Sequence, residues 1–392
     1  MSTIVERAFL HGCCIESRNI NIDKSGLVLT LNLSHWINHV EKDALEEEIN
    51  QYGSVSFTLD SVQALTKDEI FWISKVVGPR LSEIKVIDCK FLNEKIFKKL
   101  IEHGQSIRRI VLCRNTWVND SLIESLVLRL CKTIVDIELE NVKVTDISMF
   151  QVGRLCKELR SFSLIHCKGV TDDGLLELAK RAHLSRIRIC HNMGVTDKGI
   201  KKLLATTKGL KVLDLLNCPK ITSEPLISLY DTALAWGSQR SEKAAPLETL
   251  SLRGNVNLTP DIFLHVGLNS LNLLELDLRD CHDLELLGAC KNLERLQNLQ
   301  SLKLGPCTVQ YDPDDLVDAI LVFTENLTTL HLYEMDIFED THVAELLENS
   351  TELDEFLVSD VHVGVKTVEA LCSYLPNLQK LAIHNSNNIN DK

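Results

Sequence analysis

Apolar and polar residues follow one another in a nine-residue pattern that returns about every 26 residues along the chain. The segment 273–281 (LLELDLRDC) shows it most clearly, with apolar residues in the first, fourth and sixth positions and Cys281 in the ninth. Steps between starts are 25 to 28 residues, except one of 37. Because composition alone does not hold so many units in register, the pattern predicts a repeat architecture. The twelve starts are Leu81, Ile107, Ile134, Leu159, Leu184, Leu210, Leu247, Leu273, Leu299, Leu327, Leu353 and Leu378.

The first part of each unit predicts a short strand. Its apolar residues point into the interior and the residues between them point outward. The ninth position needs a small side chain that forms hydrogen bonds, since the chain turns there and leaves backbone groups unpaired. Cysteine and asparagine fill it in eight units: Cys89, Cys167, Cys218, Cys281, Cys307, Asn115, Asn192 and Asn255.

A helix of about ten residues is predicted after each strand. In the segment 170–175 (VTDDGL), Thr171 is placed to cap a helix whose acidic first turn suits the helix dipole. Leu175, Leu178 and Ala179 then recur at helical spacing. The capping pattern returns at 118–120, 144–146 and 195–197, and Pro260 is predicted at the first position of a later helix.

This combination of a 26-residue period and the L-x-x-L-x-L-x-x-C/N core resembles the leucine-rich repeat. One such unit cannot bury its apolar face alone, so neighbouring units must stack. The resemblance implies an α/β solenoid of horseshoe form, with a parallel sheet on the concave face and helices on the convex face.

The repeat frame predicts the domain organisation. Residues 1–25 form an N-terminal cap or tail, residues 26–80 hold two weak repeats, and residues 81–392 hold twelve clear repeats. The weak repeats are framed from Gly26 and Tyr52. The long step places an insertion near 231–246, which we interpret either as a lengthened loop or as a docking loop that presents Trp236 and Arg240 to a partner.

Composition excludes several classes of function. The formal net charge of −13 argues against nucleic acid, whose phosphates are bound by clustered Lys and Arg, and favours a basic protein partner. We find neither a signal peptide nor an apolar stretch of the roughly 18 residues that a membrane helix needs. Buried, reduced thiols explain the 13 cysteines best, which indicates a cytoplasmic or nuclear protein. Cys281 and Cys307 are the neighbouring pair that could approach bonding distance.

The residues do not point to catalysis or to a cofactor. The chain contains no G-x-x-x-x-G-K-[ST], G-x-G-x-x-G or G-x-S-x-G motif and no C-x-x-C pair. His35 and His39, with Cys13 or Cys14, form the one combination with metal-ligand spacing, and exposed polar residues explain them better. We therefore expect no enzymatic activity, no cofactor and no metal.

The concave face is the predicted binding surface. Repeat positions three, five, seven and eight point out of the sheet, and charges of opposite sign alternate along them. Two interpretations stay open: the charges pair with one another, or they form a groove in which Arg and Tyr anchor a protein partner. The candidate contact residues are Arg109, Glu138, Arg186, Arg188, Arg253, Asp277, Arg279, His331 and Tyr333.

A closer family resemblance concerns the repeat type. Residues 154–159 (RLCKEL), Cys167 and the segment 170–175 match cysteine-containing repeats typical of F-box and leucine-rich-repeat proteins. That resemblance implies a substrate-recognition subunit of an SCF-type ubiquitin ligase, bound to a cullin–RING adaptor through an N-terminal F-box of three helices. The Leu-Pro pair that usually opens an F-box is absent, because residues 1–60 contain no proline. A non-ligase scaffold and an enzyme inhibitor are the alternative functions.

Overall fold

The structure of the chain is a computed structural model. It divides into two compact units, Met1–Leu184 and Ser185–Lys392, and each is described by itself. The residues that the structure describes are 14–18, 28–33, 46, 49–50, 52–180, 183–207, 209–228, 247–306 and 312–385.

The first unit alternates strands and helices. Its strands β2 to β7 are parallel, and β1 pairs antiparallel with β2. The strands are β1 Cys14–Arg18, β2 Val28–Leu33, β3 Ser54–Asp60, β4 Leu81–Ile87, β5 Arg109–Cys113, β6 Asp136–Glu140 and β7 Ser161–Ile165. The helices are α1 Lys67–Val76, α2 Glu94–Leu100, α3 Asp120–Leu130, α4 Asp146–Leu155 and α5 Asp172–Ala179, with a 3₁₀ turn at Gly78–Arg80.

The second unit has the same alternation, and its strands are parallel. The strands are β8 Arg186–Cys190, β9 Val212–Asp214, β10 Thr249–Ser251, β11 Glu275–Asp277, β12 Ser301–Leu304, β13 Thr329–Tyr333, β14 Glu355–Ser359 and β15 Lys380–His384. The helices are α6 Asp197–Thr206, α7 Asp261–Asn269, α8 Leu286–Asn292, α9 Pro313–Leu321, α10 Asp340–Glu348 and α11 Val365–Tyr374, with a 3₁₀ turn at Thr324–Asn326.

The apolar positions of the repeat form the core. Leu276, Leu302 and Leu330 lie side by side in the strand register, and at most 1% of each is exposed. Their neighbours in sequence, such as Lys303, point to the opposite face of the sheet. In each unit, parallel strands therefore alternate with helices around an aliphatic core, and the predicted fold class is confirmed.

The two weak repeats belong to the sheet, but their frames begin two residues later than predicted. Phe57 pairs in register with Ile84 and Leu31 pairs with Phe57, so the frames begin near Val28 and Ser54. A shift of two residues leaves every side chain on its predicted face, because the strand period is two. Since β1, β2 and β3 occupy parts of residues 14–60, a helix trio does not fill this stretch.

The side chain at the ninth position forms hydrogen bonds with backbone groups of the turn, as predicted. The Asn115 carboxamide is buried; its Oδ1 accepts from the Cys89 amide at 3.0 Å, and its Nδ2 donates to the carbonyls of Val86 and Cys113 at 2.9 and 2.8 Å. The Cys167 thiol lies 3.4 Å from the Leu139 carbonyl in the preceding strand. Where Asn or Cys fills the ninth position, as at Asn115 and Cys167, its side chain ties the turn to the unit before it.

The buried thiols remain protonated at neutral pH. Burial raises the pKa of Cys167 and of Cys281 to about 11, so these cysteines are unreactive packing residues. Cys281 is a free thiol, and its candidate partner Cys307 lies outside the described residues. The candidate metal ligands His35 and His39 also lie outside them.

The eighth position has a left-handed backbone in most units, which the repeat pattern did not predict. At this position Gly254 has a φ of 72°, and non-glycine residues such as Asp88 and Arg114 have φ near 50°. The amide of Arg114 donates to the carbonyl of Glu140 at 2.8 Å, which continues the strand ladder past the end of β5. The left-handed turn is thus offset by one more inter-repeat hydrogen bond.

The Val-Thr-Asp motif joins α4 to α3 and α5 to α4. Thr171 caps α5, as predicted, by accepting from the Asp173 amide. Its own amide and hydroxyl donate to the Asp146 carboxylate of the preceding helix at 2.8 and 2.7 Å. A Cβ at Gly174 would lie 2.2 Å from the same carboxylate, so the glycine of the motif makes room for it. The motif therefore caps one helix and fixes its neighbour.

Pro260 is one residue from its predicted place. It has helical dihedral angles but immediately precedes α7, whose first residue is Asp261. The amide of Phe263 donates to the Pro260 carbonyl, so the helix begins with a tight 3₁₀-type turn. Boundaries of this kind differ by a residue when the first turn is tight.

Asp340 provides a test of the helix-to-helix contact. Burial alone would raise the pKa of its carboxyl, but hydrogen bonds from Thr367, Lys366 and Gly364 outweigh burial and hold the pKa below its usual range. The stabilisation is therefore present above about pH 4 and is lost as the pH falls through the folded-state pKa. We expect Asp340→Asn to lower the free energy of unfolding by about 1–3 kcal/mol at neutral pH, and the deficit to shrink in acid.

Urea unfolding at neutral pH and near pH 3 measures this difference. Asp336→Asn is the matched control, because Asp336 is an exposed carboxylate of the same unit. An equal deficit for Asp340→Asn at both pH values would contradict the ionic account.

Candidate functional site

The strand face carries the candidate binding residues. We define it, in each unit, as the side chains at repeat positions three, five and seven. In the first unit Arg109 lies among three carboxylates, Glu83, Asp136 and Glu138, at 3.3, 3.4 and 3.4 Å. Arg109 therefore pairs with carboxylates of the strands on both of its sides.

One group of side chains in the first unit has metal-ligand character. A donor atom from each of Cys113, Glu138 and Glu140 lies within 4.8 Å of the others, and no second such group occurs in the described part of the chain. Burial, and then the Glu140 and Glu138 charges, raise the pKa of Cys113 to about 12. Only the thiolate binds metal well, and Arg109 already pairs with Glu138. The group is thus a protonated thiol beside two carboxylates.

In the second unit, Arg186 and Arg188 differ although both were predicted to be exposed. The Arg188 Nε lies 3.0 Å from Oδ2 of Asp214, whose side chain is only 15% exposed. Arg186 is exposed, and its side chain makes no ion pair with any residue that the structure describes. Arg186 is therefore the cation of this pair that is available to a partner.

Two neighbours, Asp277 and Tyr333, hold the Arg279 side chain on the strand face. Its Nε and a terminal nitrogen bind the two Asp277 oxygens at 2.9 and 2.5 Å, and its other terminal nitrogen lies 3.2 Å from the Tyr333 hydroxyl. The guanidinium carbon also lies 5.0 Å from the Tyr333 ring centroid, in cation–π geometry. Because the hydrogen bond with Asp277 stabilises the charged form, the pKa of Arg279 lies above its usual range.

Asp277 and His331 are buried, with 6% and 7% of their surface exposed, respectively. They therefore position neighbouring side chains. His331 Nε2 lies 3.1 Å from Glu355, which also binds Lys380 at 2.9 Å. Burial lowers the pKa of His331, against the raising effect of Glu355, so the imidazole is neutral at pH 7. The hydrogen bond from Lys380, with that from His331, holds the pKa of Glu355 below its usual range.

Ion pairing across neighbouring strands is the rule on this face. Lys303 pairs with Glu275 at 2.5 Å, in addition to the pairs above, and Arg253 pairs at 2.6 Å with Asp280, which lies in the turn after β11. The first of the two interpretations, mutual pairing, thus describes most of the charged candidates. Pairing does not exclude binding, because paired side chains are held in a fixed arrangement.

Sequence reasoning missed the connecting role of Glu355 and Lys303. Both residues stand at outward positions of the repeat, but only the structure shows which charges meet. Glu355 pairs with Lys380 directly opposite, whereas Lys303 lies opposite Asp277 and pairs diagonally with Glu275. Alternation of charge sign along a repeat position is the signal that could have found them. The docking-loop candidates Trp236 and Arg240 lie outside the described residues.

Solved structures share this architecture. A chain from the crystal structure of the Rad7 and Elc1 complex in yeast is similar at a TM-score of 0.61 and 20% identity, over 78% of this chain and 75% of that chain. The fold is that of a leucine-rich-repeat protein. An internalin (inlF) from Listeria monocytogenes is similar at a TM-score of 0.48 and 16% identity, over 88% of this chain and 84% of that one.

No family model matches the chain. In the part of the chain that the structure describes, no helix combines the length and the apolar character that crossing a bilayer requires.

Proposed function

We propose that the chain is a protein-binding module whose partner contacts the strand face of its repeats. The observation that carries this proposal is Arg279, which Asp277 and Tyr333 hold in place on a sheet surface rather than in a pocket. Arginine and tyrosine dominate the energetics of protein interfaces, and side chains fixed before binding lose little entropy when they bind. A row of adjacent strands also suits a protein better than a metabolite, which requires a concave pocket.

The proposed contact residues fall in both units. Those that are exposed or half-buried contact the partner, whereas Asp277 and His331 orient Arg279 and Glu355. The full set is Arg109, Glu138, Arg186, Arg188, Arg253, Asp277, Arg279, His331 and Tyr333, with Trp236 and Arg240 on the docking loop.

The more specific proposal is substrate recognition for an SCF-type ubiquitin ligase. It rests on the likeness of the repeats to those of F-box and leucine-rich-repeat proteins, and it is supported by the similar fold of a chain that is solved in complex with Elc1. Since strands occupy parts of residues 14–60, adaptor binding would use a surface other than an F-box in that stretch. A scaffold of a larger assembly and an enzyme inhibitor remain the rival functions.

Arg186→Glu tests the strand face. We expect it to weaken capture of a partner about tenfold or more, because a charge reversal at an interface replaces attraction by repulsion. The melting temperature should stay within a degree or two, since an exposed and unpaired side chain contributes little to stability. Affinity capture from extract, followed by quantitative mass spectrometry, measures the loss.

Lys202→Glu is the matched control, since Lys202 is an exposed lysine on α6 of the same unit and its replacement changes the net charge equally. Equal losses for both variants, or a partner retained by Arg186→Glu, would count against binding at the strand face.

Binding of a purified adaptor distinguishes the ligase proposal from the scaffold and inhibitor functions. Isothermal titration of the full chain with the SCF adaptor, and separately with Elc1, should show binding of one of them if the chain serves a ligase. Binding of neither, together with an intact partner on the strand face, leaves the scaffold and inhibitor functions.

A further inference from the structure

The negative charge of this chain is concentrated in one segment. The chain has 55 Asp and Glu against 42 Lys and Arg, and residues 304–365 contain 15 of the carboxylates and neither Lys nor Arg. The rest of the chain is therefore close to neutral. We call residues 304–365 the acidic segment; it belongs to the second unit.

Among the residues that the structure describes, most carboxylates of the acidic segment are exposed and make no ion pair with Lys or Arg. On the strand face, by contrast, positive and negative side chains pair along neighbouring strands. Like charges closer than the Debye length of about 8–10 Å repel one another when nothing compensates them. The exposed carboxylates are Asp312, Asp314, Asp315, Asp318, Glu325, Glu334, Asp336, Glu339, Glu345, Glu348, Glu352, Asp354 and Asp360.

A groove lies at the edge of this surface, where α10 belongs to the acidic segment and α11 extends beyond it. It runs between α10 and α11 and has a volume of about 630 Å³. Glu345, Glu348 and Glu369 line it together with Tyr374, which is 44% exposed, and Lys366 is its one basic residue. We call it the acidic groove. It joins three carboxylates, which outnumber its single lysine, with an exposed aromatic ring.

The spacing of the carboxylates argues against a metal ion as the ligand. In the described ranges, no three of the acidic segment's carboxylates bring their oxygens within 4.8 Å of one another. A divalent cation needs several oxygens in one coordination shell. A ligand whose positive charges are spread over a length of chain matches the spacing better.

We propose that the acidic groove docks a Lys- or Arg-rich segment of a partner protein that also carries an aromatic or aliphatic side chain. The basic groups pair with Glu345, Glu348 and Glu369, and the apolar group contacts Tyr374. Nucleic acid and anionic membrane are disfavoured as occupants because both would be repelled. This docking surface is on the helix side and does not depend on the strand face.

Fluorescence anisotropy of the full chain with labelled peptides tests the proposal. One peptide repeats Lys-Lys-Tyr and the other repeats Lys-Lys-Ser, so the two differ only in the apolar group. We expect the Tyr peptide to bind several-fold more tightly, and the combined variant Glu345→Gln, Glu348→Gln, Glu369→Gln to weaken both about tenfold. Tyr374→Ser should weaken the Tyr peptide alone.

The control variant is Glu102→Gln, Asp283→Asn, Glu294→Gln, which removes three exposed carboxylates outside the acidic segment and changes the net charge equally. It should change affinity less than about twofold. Equal weakening by the two combined variants would mean that only overall charge attracts the peptides, and would overturn the proposal. The proposal would also be overturned if Tyr374→Ser left the affinity for the Tyr peptide unchanged.

Discussion

Alanine in place of Gly305 is expected to lower the free energy of unfolding by about 3–5 kcal/mol. Gly305 follows β12 with a φ of +122°, a region that is open to glycine and strained for other residues. A Cβ there would lie 1.8 Å from the carbonyl oxygen of Tyr333 in the next strand. Since no side-chain rotation relieves a clash with backbone, β13 must shift, and the Tyr333–Arg279 contact should loosen with it.

Gly209→Ala is the matched control for this change. A Cβ at Gly209 would meet no atom within 4 Å, and its φ is outside the left-handed region. Its replacement should be neutral or stabilise by up to about 1 kcal/mol through the unfolded state. Urea unfolding of both variants measures the difference, and a Gly305→Ala protein as stable as the wild type would show that this contact is misplaced.

Asn115→Ala is expected to lower the free energy of unfolding by a similar amount, about 3–5 kcal/mol. The substitution removes three hydrogen bonds and leaves the buried Cys89 amide without its acceptor, while the Cys113 carbonyl keeps the Asp88 amide as a donor at 3.0 Å. Each unsatisfied buried group costs about 1–3 kcal/mol. Chemical denaturation again provides the measurement.

The adjacent residue supplies the control. Thr116 is exposed, so Thr116→Ala should change stability by less than about 0.5 kcal/mol. Asn115→Asp should be no better than Asn115→Ala, because an aspartate would turn an acceptor oxygen toward the two carbonyls. A stable Asn115→Asp protein would contradict the donor role of Nδ2.

The fold was predictable because each part of the repeat has a direct physical meaning. Alternating leucines within a strand, a small hydrogen-bonding residue at the turn and a capped helix each indicate one element. Thr171, Thr145 and Thr196 cap helices where the pattern places them. The signal weakens where substitutions accumulate: the frames at Gly26 and Tyr52 were two residues off, and the antiparallel strand β1 was not predicted.

The candidate site was predictable only in part. The repeat identifies which side chains point out of the sheet, and Arg279, Tyr333 and Arg186 do. It does not identify partners, because Arg279 and Tyr333 are 54 residues apart and meet across one intervening repeat. For the same reason the sequence treats Arg186 and Arg188 alike, although Asp214 pairs with one of them.

By itself, then, the sequence determined the period, the face on which each side chain lies and the apolar core, since these depend on local alternation and helical spacing. The tertiary structure decided which charges neutralise one another, which turn residues are left-handed and where a groove opens between helices. Those features depend on contacts across neighbouring repeats, and the strand register that sets these contacts appears only when the units stack.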